Sequence, residues 1–413
     1  MGGAVLLAMA ITGTAAASPI VQTSVVSQDP ANFTPRVITG TAVYKMLQVG
    51  TTIGTTMFAG GDFTQVQDSG KTTTSNRTDL FSFNATTGVI NSLSVSFDAP
   101  VWGLASDGTS LWVGGNFKTV NGTARRGLVK VDPITGVVDA AFNAHLNGNV
   151  EDLQLVNGRL LVGGKFTKRL QAVDPATGAD TGYLNLGISG TVASNAGATD
   201  IYRFAVDPAG SHLVAIGNFT TVGTSSHFRA FMVNLGATSG ALSTWNYAPL
   251  SKFCRAPKLP AQLRDVDFSP GGDFFVIVAT GFIPQPGDEG TALCDSAARF
   301  ETSNLSPTKP TWINYTGGDT IHSVTVTTAA VYIQGHMRWV SSTGSGCFGS
   351  CVARPGIAAL APATGAALDW NPGKDRGVGG KDLLLTSAGL WVASDTTHIG
   401  GELHERIALM PLP

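Results

Sequence analysis

The feature that most constrains the fold is a unit of four short strands that recurs along the chain. Residues 101–142 contain four alternating apolar runs, which read VWGLAS, LWVGGNF, GLVKVD and VVDAAF. Hairpin turn signals separate them: the dipeptide DG lies between the first two runs and the pentapeptide DPITG between the last two. Four consecutive antiparallel strands form one blade of a β-propeller, so the unit predicts that architecture.

The unit occurs seven times. Its second strand gives the clearest register, with MFAGGDF, LWVGGNF, LLVGGKF and LVAIGNF in the first four units and FVIVATGF, VYIQGHM and LWVASDT in the last three. The first strands are expected to begin at Val43, Val101, Val150, Ile201, Leu263, Ile321 and Lys381. The sequence therefore predicts an all-β, seven-bladed β-propeller of four-stranded antiparallel blades.

The seventh unit contains only three strands before Pro413. Residues 32–35, NFTP, precede the first unit just as residues 97–100, FDAP, precede the second. We therefore expect the N-terminal strand that contains Phe33 to complete the last blade, which would leave no unpaired edge strand.

The composition agrees with a rigid, turn-rich β protein. The 413 residues exceed the usual size of a single-core domain, yet no shift in composition divides the chain, and a closed repeat resolves this. Only 13% of the residues are charged, the net charge is −2, and Gly numbers 51. Lysine and arginine form no run longer than two residues, so we expect no nucleic-acid partner.

The N-terminus predicts export. Residues 1–17 are apolar, are too short to span a bilayer, and end in three alanines that match the A-x-A cleavage pattern. We assign 1–17 as a signal peptide and 18–413 as a single propeller domain that is secreted, extracellular and without a membrane span. The usual positive n-region is missing, so the alternatives are a misplaced start codon and an unprocessed, membrane-inserted end.

The repeat resembles a known family. The segment VGGNFKTVNGTARRGLVKVDPITGVVDAAFN resembles the delta-60 repeat of secreted, largely actinobacterial β-propeller proteins. The similarity extends with decreasing fidelity over residues 30–413 and is best in units two and three, whereas units five to seven lose the double glycine. The resemblance implies the fold and an extracellular setting, and it implies no particular activity.

Four cysteines in an exported chain predict two disulfides, although four cysteines can pair in three ways. Cys347 and Cys351 are close enough in sequence to close one loop, which leaves Cys254 and Cys294 as the other pair. In a propeller, the loops between strands two and three and the connections between blades emerge on one face. All four cysteines fall in long loops of that face, which we call the long-loop face.

Candidate ligand-binding residues also lie on the long-loop face, because long loops on a rigid scaffold commonly carry binding sites. One polar ring is predicted at the ends of the second strands, and it consists of Asp62, Asn116, Lys165, Asn218, His336 and Asp395, with Gly281 in the fifth unit. The alternative is that these side chains hydrogen-bond neighbouring loop backbone. Trp339 and Phe348 are predicted to form an exposed aromatic platform, or else to pack beneath their loop.

These features favour an extracellular binding or structural module that holds a glycan, a polymer or a protein on the long-loop face. The alternative is a hydrolase or lyase at the channel mouth that acts through Asp62, His336 or Asp395, with or without a bound metal. The spacing of histidines and carboxylates selects no metal site, and no nucleotide-binding or dinucleotide-binding motif is present. We therefore expect no cofactor, and we expect a monomer.

Overall fold

The computed structural model describes residues 22–51, 54–192, 197–255 and 262–413. These residues form an all-β protein with one short 3-10 helix at Ala248–Ser251. The predicted signal peptide, residues 1–17, lies outside the described residues. No helix in the described part of the chain is long and apolar enough to cross a bilayer.

Thirty-three strands are present in the described ranges. The first twelve are β1 (Arg36–Thr51), β2 (Gly54–Gln67), β3 (Thr74–Asn76), β4 (Leu80–Asn84), β5 (Val101–Ser106), β6 (Leu111–Gly115), β7 (Thr119–Val120), β8 (Thr123–Ala124), β9 (Leu128–Val131), β10 (Val150–Val156), β11 (Arg159–Gly164) and β12 (Leu170–Val173). The next eleven are β13 (Ile188–Ser189), β14 (Asp200–Val206), β15 (His212–Asn218), β16 (Thr221–Val222), β17 (Ser225–Ser226), β18 (Ala230–Leu235), β19 (Gly240–Leu242), β20 (Leu263–Phe268), β21 (Phe274–Ala279), β22 (Ser296–Glu301) and β23 (Trp312–Tyr315). The last ten are β24 (Ile321–Val326), β25 (Val331–Gly335), β26 (Trp339–Val340), β27 (Val352–Ala353), β28 (Ile357–Leu360), β29 (Asp382–Thr386), β30 (Gly389–Ala393), β31 (His398–Ile399), β32 (Glu402–Leu403) and β33 (Ile407–Pro411).

Seven larger antiparallel sheets follow one another along the described chain, and each begins with one of the predicted first strands. These strands are β1, β5, β10, β14, β20, β24 and β29. Four of them begin at the predicted residue, β14 and β29 begin within one residue of it, and β1 begins earlier, at Arg36. Short two- or three-stranded ladders, such as β7–β8 and β26–β27, occupy several loops between second and third strands.

The first strands lie side by side. Each contacts the first strand of the next sheet, from β1 through β5, β10, β14, β20 and β24 to β29, and β29 in turn contacts β1. The core lies between neighbouring sheets. Trp245, for example, packs edge-on against Phe275 and Phe300 of the following sheet and is fully buried. Such aromatic contacts fix the spacing between one sheet and the next.

The fourth strands are shorter than expected. In the described residues only β19 and β23 pair as fourth strands, whereas the second and third sheets have a single bridge each, at Val138 and Asp180. The antiparallel all-β prediction is therefore confirmed, whereas a full fourth strand forms in only two of the seven larger sheets of the described chain. The cause is local, because the Asp139 and Asp180 carboxylates accept the amides of Ala141 and Gly182, two residues further on, at 2.9 Å. Such Asx turns direct the chain away from the ladder.

The N-terminal segment lies along the last strand. The amides of Ser27 and Ala31 donate to carbonyls of β33 at 2.7 and 2.8 Å. The indole of Trp370 donates to the Ser27 carbonyl, and the Phe33 ring contacts Trp391 edge-on. The segment that was expected to complete the seventh sheet is thus hydrogen-bonded to its edge.

Candidate functional site

The predicted polar ring is largely occupied by loop contacts. The Asn218 side chain accepts the Val192 amide at 2.8 Å and donates to the Gly197 carbonyl at 2.7 Å. The Asp395 carboxylate accepts the Val378 amide at 2.9 Å. The His336 ring likewise faces a backbone carbonyl, that of Gly377. These three side chains therefore hold loops in place, which is the alternative that the sequence left open.

The remaining members of the ring have different surroundings. Asp62 accepts the Thr41 hydroxyl at 2.7 Å, and Asn116 is half-exposed. The Lys165 ammonium lies 3.1 Å from Glu151 and 3.7 Å from Asp200. Because each side chain is committed to a local partner or stays in solvent, the ring provides no group of reactive side chains in direct hydrogen-bond contact.

A second charged cluster, which the sequence did not reveal, lies where the first strands meet. Six of the seven first strands have a register shift at the same point, between an apolar residue near the start of the strand and the residue two positions after it. Three carboxylates at or beside this level accept an amide of the next sheet's first strand, and these contacts are Asp152 to Phe204 (3.1 Å), Asp265 to Val324 (2.9 Å) and Asp382 to Met46 (2.8 Å).

These carboxylates line a cavity of about 320 Å³ together with Lys45 and Arg203. The Lys45 ammonium lies 3.2 Å from Asp382. Burial raises the pKa of Asp265 to about 7, although the Arg203 guanidinium acts in the opposite direction. The cluster therefore connects neighbouring first strands, and its net charge depends on pH. The only sequence signal was a carboxylate inside an apolar first strand, as in VEDLQLV and LRDVDF.

A cavity of about 530 Å³ lies among the loops between the fifth and sixth sheets. We call it the interloop pocket. Its lining consists of Arg255, Ile283, Pro284, Glu289, Ile313, Asn314, Tyr315, Ser341, Ser342, Thr343, Gly344, Ser345, Thr364, Gly365 and Ala366. Two charged side chains of opposite sign therefore stand among apolar groups, hydroxyls and an amide.

The floor of the interloop pocket comes from β23 and fixes both walls. The Asn314 side chain accepts the Ser341 amide at 2.7 Å and donates to the Gly365 carbonyl at 2.8 Å. On the other side, the Tyr315 hydroxyl donates to the Ala292 carbonyl at 3.0 Å and accepts the Gly290 amide at 2.9 Å. Burial raises the pKa of Tyr315 to about 12, so the hydroxyl stays protonated at neutral pH and keeps its role as a donor.

Both walls are also cross-linked, because the structure joins the two cysteine pairs that the sequence predicted. Cys254 is bonded to Cys294, with their Cα atoms 5.7 Å apart, and Cys347 is bonded to Cys351, at 5.5 Å. The first bond ties the connection that contains Arg255 to the wall of the fifth sheet, where the Arg255 amide donates to the Ile283 carbonyl at 2.8 Å. Both walls of the pocket are thus covalently restrained.

Two phenylalanines next to cysteines are exposed on these loops. Phe348, a predicted binding residue, follows Cys347 and is 65% exposed, and its amide lies within hydrogen-bond distance of the Ser342 hydroxyl in the pocket wall. Phe253 precedes Cys254 and is 59% exposed. Sequence reasoning missed Phe253, although its position in a cysteine-bearing long loop was the same signal that selected Phe348.

Trp339 differs from the phenylalanines. It is half-buried in β26, the Arg338 guanidinium lies 4.9 Å from its ring centre, and it does not line the interloop pocket. The predicted platform of Trp339 and Phe348 therefore separates into one packed and one exposed ring.

Neither a family model nor a curated protein matches the chain significantly. The site must accordingly be interpreted from its own geometry. In the described residues no three His, Cys, Asp or Glu side chains are grouped in a way that could hold a metal ion.

Proposed function

We propose that the seven sheets close into a β-propeller of the delta-60 type that is exported from the cell. Three observations support the closure: the chain of contacts among first strands returns from β29 to β1, Asp382 accepts the Met46 amide, and the N-terminal segment bonds to β33. Two disulfides agree with an oxidising, extracellular environment.

The propeller, in this proposal, is a binding module that takes up a short segment of a glycan in the interloop pocket. The observation that carries the proposal is the pocket itself, since both walls are held by disulfides and by side chains of β23 before any ligand arrives. A ligand therefore binds without the entropic cost of ordering the loops.

The lining favours a glycan over the other ligands that a long-loop face accepts. The exposed Thr343 and Ser345 and the faces of Tyr315 and Ile313 offer polar and apolar contacts side by side, as a sugar ring requires. The exposed Phe348 ring near the wall supplies a surface on which a sugar can stack. The hydrolase or lyase alternative has less support, because His336 and Asp395 are engaged by loop backbone.

The test is an oligosaccharide array followed by calorimetric titration of the best ligand. Ala366 is an exposed lining residue, so Ala366→Trp should fill the pocket without disturbing the core. We expect Ala366→Trp to abolish binding and Phe348→Ala to weaken it by about tenfold, the loss of roughly 1.4 kcal/mol that one stacking ring contributes.

The matched control is Val137→Ala, which removes an equally exposed apolar side chain from a turn of the second sheet. This variant should bind like the parent. A glycan that binds Ala366→Trp as tightly as the parent would place the ligand elsewhere, and capture of a protein with no glycan bound would identify the other class of ligand.

A further inference from the structure

A separate cavity of about 140 Å³ lies beside the fourth sheet. Its lining includes Lys165, Asp200, Tyr202, Arg229 and Arg264. It shares no lining residue with the interloop pocket, and three of its side chains are cationic.

Arg229 is the unusual member of this lining. Only 5% of the surface of Arg229 is exposed, and its buried Nε atom has no hydrogen-bond partner. Its side chain forms no ion pair or hydrogen bond with any residue that the structure describes. Burial alone lowers the pKa of Arg229 to about 10, with no neighbouring carboxylate to raise it. A buried guanidinium without a counter-ion is costly unless a ligand supplies the charge.

Equivalent arginines in other sheets have partners. The residue directly before the third strand is arginine in the third, fourth and seventh sheets. Arg406 donates to the carbonyls of Val37 and Gly40, and Arg169 donates to that of Phe166. Arg229 occupies the same backbone position without such carbonyls, so the missing partner is specific to the fourth sheet.

Arg264 adds a second cation, and its side chain forms no ion pair or hydrogen bond with the described residues. Its guanidinium lies 5.6 Å from the centre of the Tyr202 ring, and its buried Nε also lacks a partner. Lys165, in contrast, is already neutralised by Glu151 and Asp200. The stretches 193–196 and 256–261, which the structure does not describe, contain no Asp or Glu, so they carry no carboxylate that would neutralise either arginine.

We propose that this cavity, which we call the arginine pocket, binds an oxyanion group between Arg229 and Arg264. Guanidinium groups donate paired hydrogen bonds to carboxylate and phosphate oxygens, and such charge-assisted bonds are stronger than neutral ones. The volume admits a single phosphate or carboxylate group, so the remainder of any larger ligand stays outside the cavity. The inference does not depend on glycan binding in the interloop pocket.

The experiment titrates the purified full chain with inorganic phosphate and, separately, with D-glucuronate, and it uses D-glucose as the neutral control. Binding is measured by calorimetry and by the shift in Tm. We expect at least one of the two anions to bind and to raise Tm, and D-glucose to do neither. A response to phosphate alone identifies a phosphate ligand, and a response to D-glucuronate alone identifies a carboxylate.

The decisive variants are Arg229→Met and Arg264→Met, and the matched control is Arg126→Met, because Arg126 is exposed and lies in a loop of the second sheet. Each pocket variant should weaken anion binding by about tenfold or more, and the control should not. Without anion, Arg229→Met should unfold at the same Tm as the parent or higher, because it removes an uncompensated buried charge.

Two results would overturn the proposal. One is a parent protein whose Tm and calorimetric signal do not respond to either anion at tens of millimolar. The other is an Arg229→Met variant that unfolds at a lower Tm than the parent in the absence of anion while its anion affinity is unchanged, since Arg229 would then act only as a structural residue.

Discussion

At the level of the single residue, one backbone conformation recurs in all seven larger sheets of the described chain. The residue directly before the third strand has a φ between 40° and 73° in all seven larger sheets, and the seven residues are Asp79, Gly127, Arg169, Arg229, Asp295, Gly356 and Arg406. Five of them are not glycine and therefore adopt the left-handed region at a cost. The benefit is a fixed turn, because the residue's carbonyl in most sheets accepts an amide of the second strand, as Gly127 does from Gly115 at 3.0 Å.

Gly127→Ala should therefore destabilise the protein strongly. A Cβ at Gly127 would lie 2.5 Å from the Gly148 carbonyl oxygen, in addition to the strain of a positive φ. We expect the free energy of unfolding, measured with urea, to fall by about 3 kcal/mol.

Gly122→Ala is the control, because Gly122 also has a positive φ of 75° but has nothing within 4 Å of the added atom. It should cost only about 1 kcal/mol. Equal losses in the two variants would show that the φ angle, and not the contact with Gly148, limits this position.

At the scale of elements, carboxylates connect the first strands in alternating pairs. Asp152, Asp265 and Asp382 join the third sheet to the fourth, the fifth to the sixth, and the seventh to the first. Neighbouring first strands belong to separate sheets and share no hydrogen-bonded ladder in the described residues, so each such hydrogen bond anchors one sheet against the next. The second sheet has Gly103 at the bulge, where a Cβ would lie 3.2 Å from Leu153.

The protonation of Asp265 should make stability depend on pH. Burial raises its pKa from 3.8 to about 7, so the folded protein holds this proton more tightly than the unfolded chain does. The resulting stabilisation is complete below the unfolded pKa and is lost as the pH rises through about 7. The other charged groups of the cavity are unchanged in the variant described next, and they are Lys45, Arg203, Asp152, Asp267 and Asp382.

Asp265→Asn is neutral at every pH and keeps an oxygen that can accept the Val324 amide. Between about pH 5 and about pH 8, urea unfolding should show a loss of stability that is about 2 kcal/mol smaller in this variant than in the parent. Asp369→Asn removes an exposed carboxylate and should retain the parental pH dependence. If the stability of Asp265→Asn depended on pH as steeply as that of the parent, Asp265 would not be the group responsible.

At the scale of the whole molecule, the N-terminal segment stabilises the seventh sheet. Two backbone hydrogen bonds to β33 and the hydrogen bond from the Trp370 indole hold the segment there, and the Phe33 ring contacts Trp391. Without the segment, the edge of β33 and part of an apolar cluster would face solvent.

A chain that begins at residue 34 should therefore unfold at a lower Tm than one that begins at residue 22, and it should associate through the exposed edge. Calorimetry gives the Tm, and light scattering gives the mass. Identical Tm values and monomeric masses for the two chains would mean that the segment is not needed to close the fold.

The first and second strands could be predicted from sequence because each carries its own alternation and turn signals. The first strands began at or next to the predicted residues in most sheets, and the cysteine pairs followed from the positions of the loops. The fourth strands were overestimated, since alternation in VVDAAF did not reveal that Asp139 would cap the amide of Ala141.

The interloop pocket could not be predicted in the same way. Its walls come from loops of two sheets, and its floor from β23, so no continuous stretch of sequence describes it. The partner of a side chain is equally hard to predict, and only the structure distinguishes Arg229, which lacks one, from Arg406 at the equivalent position of another sheet. Local periodicity fixes strands, whereas sites depend on distances between repeats.

The antiparallel contact between residues 27–31 and β33 also determines how the molecule would carry load. Anything joined upstream of Ser27 or downstream of Pro411 leaves at the same edge, beside the 2.7 Å bond between these two residues. A pulling force between the two attachments would open this pair first, one bond at a time, and would leave the other six sheets unstressed. The edge of the seventh sheet is therefore the part of the fold that we expect to separate first under load.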